Sequence, residues 1–286
     1  MTSPPYDQIR KYNGYTFSYK TVISQLYRIT EPGGVVVWVV ADQVINGSES
    51  GSSFKQALYF KEQGFLLHDT MIYDKNTCSF PARRNGNRYT QIFEYMFVFS
   101  KGKPKTANLI CDKENRWKGS VNWGRKTQRG KDGRLVTTEK IRPVPAFSPR
   151  NNVWRYTVGG GFGQKDKTAY KHPATFPLQL AIEHIESWSA PGNVVLDCFV
   201  GSGTTCIAAK LLERNYIGVD ISPEYCRLAR ERLENASKEL YEEQVQAAKL
   251  KLEEKNRLKY EVLQKLTPQE REILGCPALI PLHGLN

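Results

Sequence analysis

Two short stretches carry residue types whose spacing suits chemistry. The first is VVLDCFVGSGTT at 194–205. An apolar run, the mark of a strand buried in a sheet, delivers Asp197 at its carboxyl end, and Gly201 and Gly203 follow where the chain must turn before a helix. Glycine tolerates positive φ and lets a ligand approach the backbone closely. Ser202 lies within the turn, and Thr204 and Thr205 begin the helix, whose free N–H groups and hydroxyls are expected to face the same crevice. Asp220 ends the next apolar run, YIGVDIS, where an acid accepts hydrogen bonds from ribose hydroxyls. The turn is not GxGxxG, because residue 206 is Cys, and no GK[ST] follows to grip a phosphate. Asp197 beside the turn would repel a pyrophosphate but suits an amino or ammonium group. The pattern points to an adenosine ligand with a zwitterionic amino-acid tail, S-adenosyl-L-methionine. A purely structural glycine turn in an α/β sheet is the alternative.

The second stretch is TSPPY at 2–6: two hydroxyls, two prolines and an aromatic ring, with almost no lead-in. It is too rigid for a loose tail.

Around these stretches the apolar spacing predicts the elements that position them. Residues 18–31 read as a helical stripe ended by PGG at 32–34, and VVVWVVAD at 35–42 reads as a strand buried on both faces. SSFKQALYFKEQGF reads as a helix, LLHDTMIYDK as a strand, and YTQIFEYMFVFSKG as an aromatic strand. From about 103 to 170 the periodicity fades and Gly, Lys, Arg, Asn and Trp dominate. Order returns with a helix after Pro173 and Pro177, then VVLDCF, the helix after the glycine turn, and YIGVDIS as a second buried strand. Residues 223–266 read as one long helix or two joined ones, either a surface helix or an oligomerising arm. The expected domains are 1–102, 103–170, 171–235 and 236–286.

The formal charge is +12, and residues 101–171 hold eighteen Lys and Arg against five Asp and Glu. A basic block inside a folded chain suggests a polyanion partner. Trp117, Trp123, Trp154 and Tyr156 are interleaved with it, which suits phosphates and bases together. A merely solvating loop surface is the bland alternative. No run of eighteen apolar residues exists, so no membrane span is expected, and there is no basic-then-apolar signal pattern. The six cysteines form no CxxC pair and the histidines number four, so a zinc module is not expected. A reducing, cytoplasmic setting fits this cysteine usage.

TSPPY at 2–6 with DCFVGSGTT at 197–205 resembles the amino-methylating DNA methyltransferases, whose motifs read [DNS]-P-P-[YFW] and D-x-F-x-G-x-G. KHPATFPLQLAIEHI, YIGVDISPEY and FEYMFVFSKG also match the way family members read at these places. The order, with the catalytic motif first, the basic region in the middle and the cofactor motif last, resembles the circularly permuted beta class. The resemblance covers roughly residues 2–235. It implies a Rossmann-like α/β methyltransferase sheet, circularly permuted, with a basic target-recognition insert.

The resemblance also implies roles. Ser3, Pro4 and Pro5 would form the loop receiving a base flipped out of duplex DNA, and Tyr6 would stack on it. Asp197 would sit near the methionine amino end, Phe199, Gly201, Ser202, Gly203 and Thr204 would line the cofactor cleft, and Asp220 would bind the ribose. Thr175 and His172 would reach the cofactor's carboxylate end, with capping or packing the competing role for His172. Arg116, Lys118, Arg125, Lys126 and Arg129, with Arg83, Arg84 and Arg88 just before the aromatic strand, would form the DNA surface. Serine at position 3 goes mostly with N4-cytosine methylation. N6-adenine methylation is the alternative, a catalytically idle DNA-binding scaffold is another, and a methyltransferase for RNA, protein or a small molecule is a third. Double-stranded DNA is the expected partner; a homodimer and a cognate restriction endonuclease are left open, in a bacterial or phage-encoded setting. In the family the catalytic loop follows a buried strand, for which Met1 and Thr2 leave no room. A native start upstream of this numbering, with the loop deprived of its anchor, is therefore the expectation; a segment such as CPALIPLHG filling the slot is the alternative.

Overall fold

The apolar run after PGG forms strand β1 (Val35–Val40), and its alternation decides the architecture. Val36, Trp38 and Val40 are buried in one cluster, Val37 and Val39 in another. Successive side chains of a strand point to opposite faces, so a strand buried on both needs a layer on each. The computed structural model describes residues 1–6, 17–75, 87–120, 127–137, 143–156, 172, 175–237, 261, 267 and 269. In chain order the elements are α1 (Tyr19–Ile29), β1, β2 (Val44–Ile45), β3 (Ser48–Glu49), α2 (Ser52–Glu62), β4 (Leu66–Asp74) and β5 (Phe93–Ser100). Then come β6 (Lys113–Glu114), β7 (Thr127–Arg129), β8 (Leu135–Thr137), β9 (Phe147–Ser148) and β10 (Val153–Arg155). The chain continues through α3 (Leu178–Trp188), β11 (Val194–Asp197), α4 (Thr204–Leu211), β12 (Asn215–Gly218) and α5 (Pro223–Glu234). All of these lie in one unit, Met1–Glu234; a second, Asn235–Asn286, is described at only a few positions.

On one face, Ile23 and Leu26 of α1 and Ala57 and Phe60 of α2 close over Trp38, Phe97 and Phe99. Phe60 stacks on Phe99 with ring centroids 4.0 Å apart, and the Trp38 indole N–H donates to Gln56 Oε1 at 2.8 Å. On the other face, Leu180 of α3 packs with Val37, Val39, Met71, Met96 and Val98.

β1 runs antiparallel to β5, β5 antiparallel to β4, and β4 parallel to β10. β11 and β12 pair parallel to each other. Met1 and Thr2 join the two groups. The Thr2 N–H donates to Val37 O at 3.0 Å, the Val39 N–H donates to Thr2 O at 3.0 Å, and the Met1 amino group donates to Leu196 O at 3.0 Å. The central sheet thus runs β12, β11, Met1–Thr2, β1, β5, β4, β10. This mixed α/β arrangement resembles a Rossmann-like methyltransferase core. The expectation that the loop lacks its anchor is corrected: two residues tie it to the strands on either side, and among the described residues no other segment lies between β1 and β11.

Three further expectations change. β12 is not buried: Tyr216 is 41% and Ile217 52% exposed, because among the described residues no segment lies along its outer side. Trp154, grouped with the DNA-facing aromatics, is only 6% exposed. It belongs to β10, within the basic segment, and stacks on His184 at 4.6 Å. Tyr156 donates to Glu183 of α3, so it too is tied to the sheet and its helix. The long helix expected from residue 223 is described as far as Glu234, and nearly all of its remainder lies outside the described residues, as does Trp123.

His184 is 1% exposed, and among the described residues its Nδ1 has no hydrogen-bond partner. Burial pushes its pKa down to about 3, so the folded chain holds it neutral where the unfolded chain would protonate it. Between pH 6.5 and 3 the unfolded state binds the extra proton, so stability falls as pH falls. Two pH units below 6.5 should remove roughly 2–3 kcal/mol through this group. Urea unfolding at pH 6.5 and 4.5 should show a steeper loss in the wild type than in His184→Leu; equal slopes would contradict the assignment.

Candidate active site

The TSPPY loop leaves the sheet at the carboxyl end of β1. Thr2 is buried, and its hydroxyl donates to Asp197 Oδ1 at 2.6 Å. Asp197, at the end of β11, is 2% exposed, and the same oxygen accepts the Phe199 N–H at 3.1 Å. A buried carboxylate must be satisfied in this way or forfeit its hydration. One carboxylate therefore ties the loop to the turn.

The turn itself is set by two glycines. Gly201 has φ 47° and Gly203 φ 84°, in the left-handed region that side chains seldom adopt. A Cβ on Gly201 would lie 2.9 Å from His172 Nε2, and one on Gly203 3.0 Å from Ala229 Cβ of α5. The space these glycines leave is thus filled by the protein, by an imidazole and by a helix, where the sequence reading had assigned it to a ligand. Arg232 of α5, 6% exposed, donates to the Ser202 carbonyl and lies 3.5 Å from Thr204 Oγ1, bracing the first turn of α4. Asp220 accepts the Gly201 N–H through Oδ2 and the Ser222 N–H through Oδ1, both at 2.9 Å.

These parts enclose a cavity of about 560 Å³, within the roughly 300–1,000 Å³ usual for small-molecule sites. Ser3, Pro4, Pro5 and Tyr6 line it from the loop, and Asp197, Phe199, Gly201, Ser202, Thr204 and Asp220 from the turn and beyond. Thr175 and His172 line it as well, the His172 ring meeting Tyr225 edge-on at 4.4 Å. Gly203 is not in the lining, and Thr205 is fully buried away from it. The hydroxyl of Thr205 therefore does not face the crevice as expected. Among the described residues no lysine or arginine lines the cavity. Cys198 and Cys206 are held as neutral thiols, pushed up to about 11 and about 12 by burial, so neither is a thiolate nucleophile.

A sequence profile of the DNA methylase family, the N6/N4 methyltransferases, matches residues 1–231. The chain belongs to this family. The methyltransferase is 54% identical over 235 residues to the orphan methyltransferase M.BamHII of Bacillus amyloliquefaciens, covering 82% of this chain and 88% of that protein. It is similar to TTHA0409 of Thermus thermophilus in complex with S-adenosyl-L-methionine, at 25% identity and TM-score 0.50 over 82% of this chain and 85% of that one. It also shares the fold of the cytosine-N4-specific PvuII DNA methyltransferase, at 21% identity and TM-score 0.55 over 84% of this chain and 80% of that one. Membership of this family makes the chain an S-adenosyl-L-methionine-dependent DNA methyltransferase.

The basic residues singled out from the sequence are less concentrated. Arg83, Arg84, Arg125 and Lys126 lie outside the described residues. Arg88 donates to the Gly47 carbonyl of the β2–β3 hairpin. Arg116 sits over the ring of Trp117 at 5.3 Å, Lys118 pairs with Glu114 at 2.9 Å, and Arg129 donates to Gly133 O at 3.1 Å. These contacts are local and solvent-exposed, where ion pairs are weak and readily exchanged for a phosphate. Arg150 differs: it donates to Asp112 at 2.8 Å and to Glu183 at 2.6 Å, a structural tie within the fold.

Several contributors escaped the sequence reading. Phe17, Thr21 and Val22, at and before the start of α1, wall the cavity, and Phe17 packs edge-on against Phe199 at 5.2 Å. Thr2 and Arg232 act through buried hydrogen bonds that no spacing announces. Glu94 carries a visible signal, as the one acid in the aromatic strand FEYMFVFS. Replacing Thr2 by the near-isosteric valine should remove the Asp197 bond and cost about 1–3 kcal/mol. Urea denaturation of Thr2→Val against wild type measures this; an unchanged midpoint would deny Thr2 its anchoring role.

Proposed function

We propose that the chain transfers a methyl group from S-adenosyl-L-methionine to the exocyclic N4 amine of cytosine in duplex DNA. The carrying observation is that the TSPPY loop and the glycine turn line one cavity, so that a base-receiving loop and a cofactor cleft open into each other. Two acids and no described cation in the lining fit a cofactor with a cationic sulfonium and an amino group, and do not fit a polyphosphate. Asp197 and Thr204 would hold the amino-acid end, with His172 and Thr175 nearby, and Asp220 the ribose; Phe199, Gly201 and Ser202 would shape the walls. Gly203 serves by keeping α5 close. When bound, the cofactor supplies an electrophilic methyl group.

The chain's own residues prepare the amine. An aromatic amine is a poor nucleophile because its lone pair is delocalised into the ring. Ser3 Oγ and the Pro4 carbonyl, accepting its two N–H groups, would draw the nitrogen toward tetrahedral geometry and free that pair. Neither proline has an N–H to compete, and both stiffen the loop. The Tyr6 ring would support the flipped base. The gain is orientation and fixed electrostatics. Serine at position 3 supports cytosine over adenine. The loop at 2–6 precedes the turn at 197–205, which supports the circularly permuted reading. The basic segment 103–170 would meet the DNA through phosphates and base edges, with Arg116, Lys118 and Arg129 among its exposed cations. The relative's name, an orphan methyltransferase, supports an enzyme that works without a restriction partner.

Incubation with labelled S-adenosyl-L-methionine and mixed-sequence duplex DNA, then nucleoside analysis, should yield N4-methylcytosine. N6-methyladenine would replace this reading with the adenine one, and unlabelled DNA would overturn both. Ser3→Ala should lower turnover by on the order of 10- to 1,000-fold with cofactor affinity nearly unchanged. Asp220→Ala should weaken cofactor binding by about 10-fold or more. Equal losses in both variants would break the division of roles.

A further inference from the structure

A serine hydroxyl can donate as well as accept, and a donor aimed at an amine N–H would repel it. A carboxylate at position 3, which only accepts, would need no such control. The structure holds a device that supplies it. Ser3 Oγ lies 2.9 Å from the Tyr6 hydroxyl, and the Tyr6 hydroxyl donates to Glu94 Oε2 at 2.8 Å. The other oxygen of Glu94 is paired with Lys75. Glu94 sits in β5 directly opposite Tyr73, its side chain 12% exposed, in a strand otherwise built of aromatic and apolar residues and a terminal serine. A carboxylate in such a place is costly unless it is paired, and here both its oxygens are engaged.

The direction of this chain follows from counting protons. A carboxylate only accepts, so the single hydroxyl proton of Tyr6 goes to Glu94. Between Ser3 and Tyr6 the donor must then be Ser3. With its own proton committed to Tyr6, Ser3 Oγ turns lone pairs to the cavity. Hydrogen bonds in such a chain polarise one another, so the carboxylate at its end also makes Ser3 a stronger acceptor. We propose that Glu94, acting through Tyr6, fixes Ser3 as an obligate acceptor for the target amine and is a positioning residue for methyl transfer. Lys75 holds Glu94 in place from its other side. This rests on the amine-methylation reading above.

The test uses the full chain and methylation of duplex DNA by single and double variants. Glu94→Gln keeps the shape but lets an amide N–H face Tyr6, permitting the chain to reverse. It should lower kcat by on the order of 10- to 100-fold, with the KM for S-adenosyl-L-methionine little changed. Tyr6→Phe, which keeps the ring and removes the relay, should lose a similar factor, and the Glu94→Gln/Tyr6→Phe double variant should lose no more than the larger single loss. Ser3→Asp brings a carboxylate, which only accepts and needs no orientation by Tyr6; in that background Glu94→Gln should cost less than about threefold. A purely structural Glu94 would cost the same factor in both backgrounds. Overturning results are an unchanged kcat in Glu94→Gln, an inactive Ser3→Asp enzyme, or an equal loss with Ser3 and with Ser3→Asp. If Glu94→Gln fails to fold, Tyr6→Phe in the two Ser3 backgrounds decides by the same comparison. A wild type that labels no DNA amine would instead refute the methylation reading itself.

Discussion

The bond from the Thr2 hydroxyl to Asp197 is the interaction on which the site depends. Thr2 is held by its backbone to β1 and by its side chain to the end of β11, while Met1 reaches Leu196. Asp197 passes the constraint on by accepting the Phe199 N–H, which fixes the first residue of the turn toward the glycines. The distance between the proline loop and the turn is therefore set by one buried carboxylate and not by a flexible linker. Its burial is what gives the arrangement stiffness, since any opening would expose an unpaired acceptor to an apolar surrounding.

The charge of the molecule is divided with equal economy. Residues 101–171 carry eighteen basic side chains against five acidic ones, yet the described lining of the cavity holds acids and no base. A polyanion is drawn to one part of the chain and refused by the other. The two thiols nearest the turn are kept neutral by burial, so the cavity offers oxygen acceptors and aromatic walls and no sulfur nucleophile. That inventory suits a reaction driven by placement of a nucleophile belonging to the substrate.

Much of the scaffold was legible because periodicity reports burial. The run VVVWVV is apolar at every position because both its faces are covered, and it folds as β1. The glycine turn was legible because the left-handed positions at 201 and 203 need glycine. What escaped depends on contacts distant in sequence. Trp154 lies among arginines and reads as solvent-facing, but β10 pairs with β4 and carries it inside. Thr2 looks like a spacer before the motif, and its partner is Asp197. YIGV is as apolar as a buried strand, yet among the described residues β12 has a strand on one side only. Composition states how much apolar surface an element has and not whether anything lies beside it.

The return of the chain through β10 has a consequence for variation. Asp112 and Arg150 close the neck of the basic excursion, and Arg150 also grips Glu183 of α3. Beyond that neck β6 pairs with β9, and β7 with β8, and among the described residues neither pair joins the central sheet. The excursion is therefore built like an interchangeable cassette on a fixed socket. Exchange of sequence between relatives can alter what lies between the two neck residues and leave the cavity intact. A crossover placed outside them would tear Trp154 from the core. Among the described residues, what lies between the neck residues is thereby kept apart from what lines the cavity.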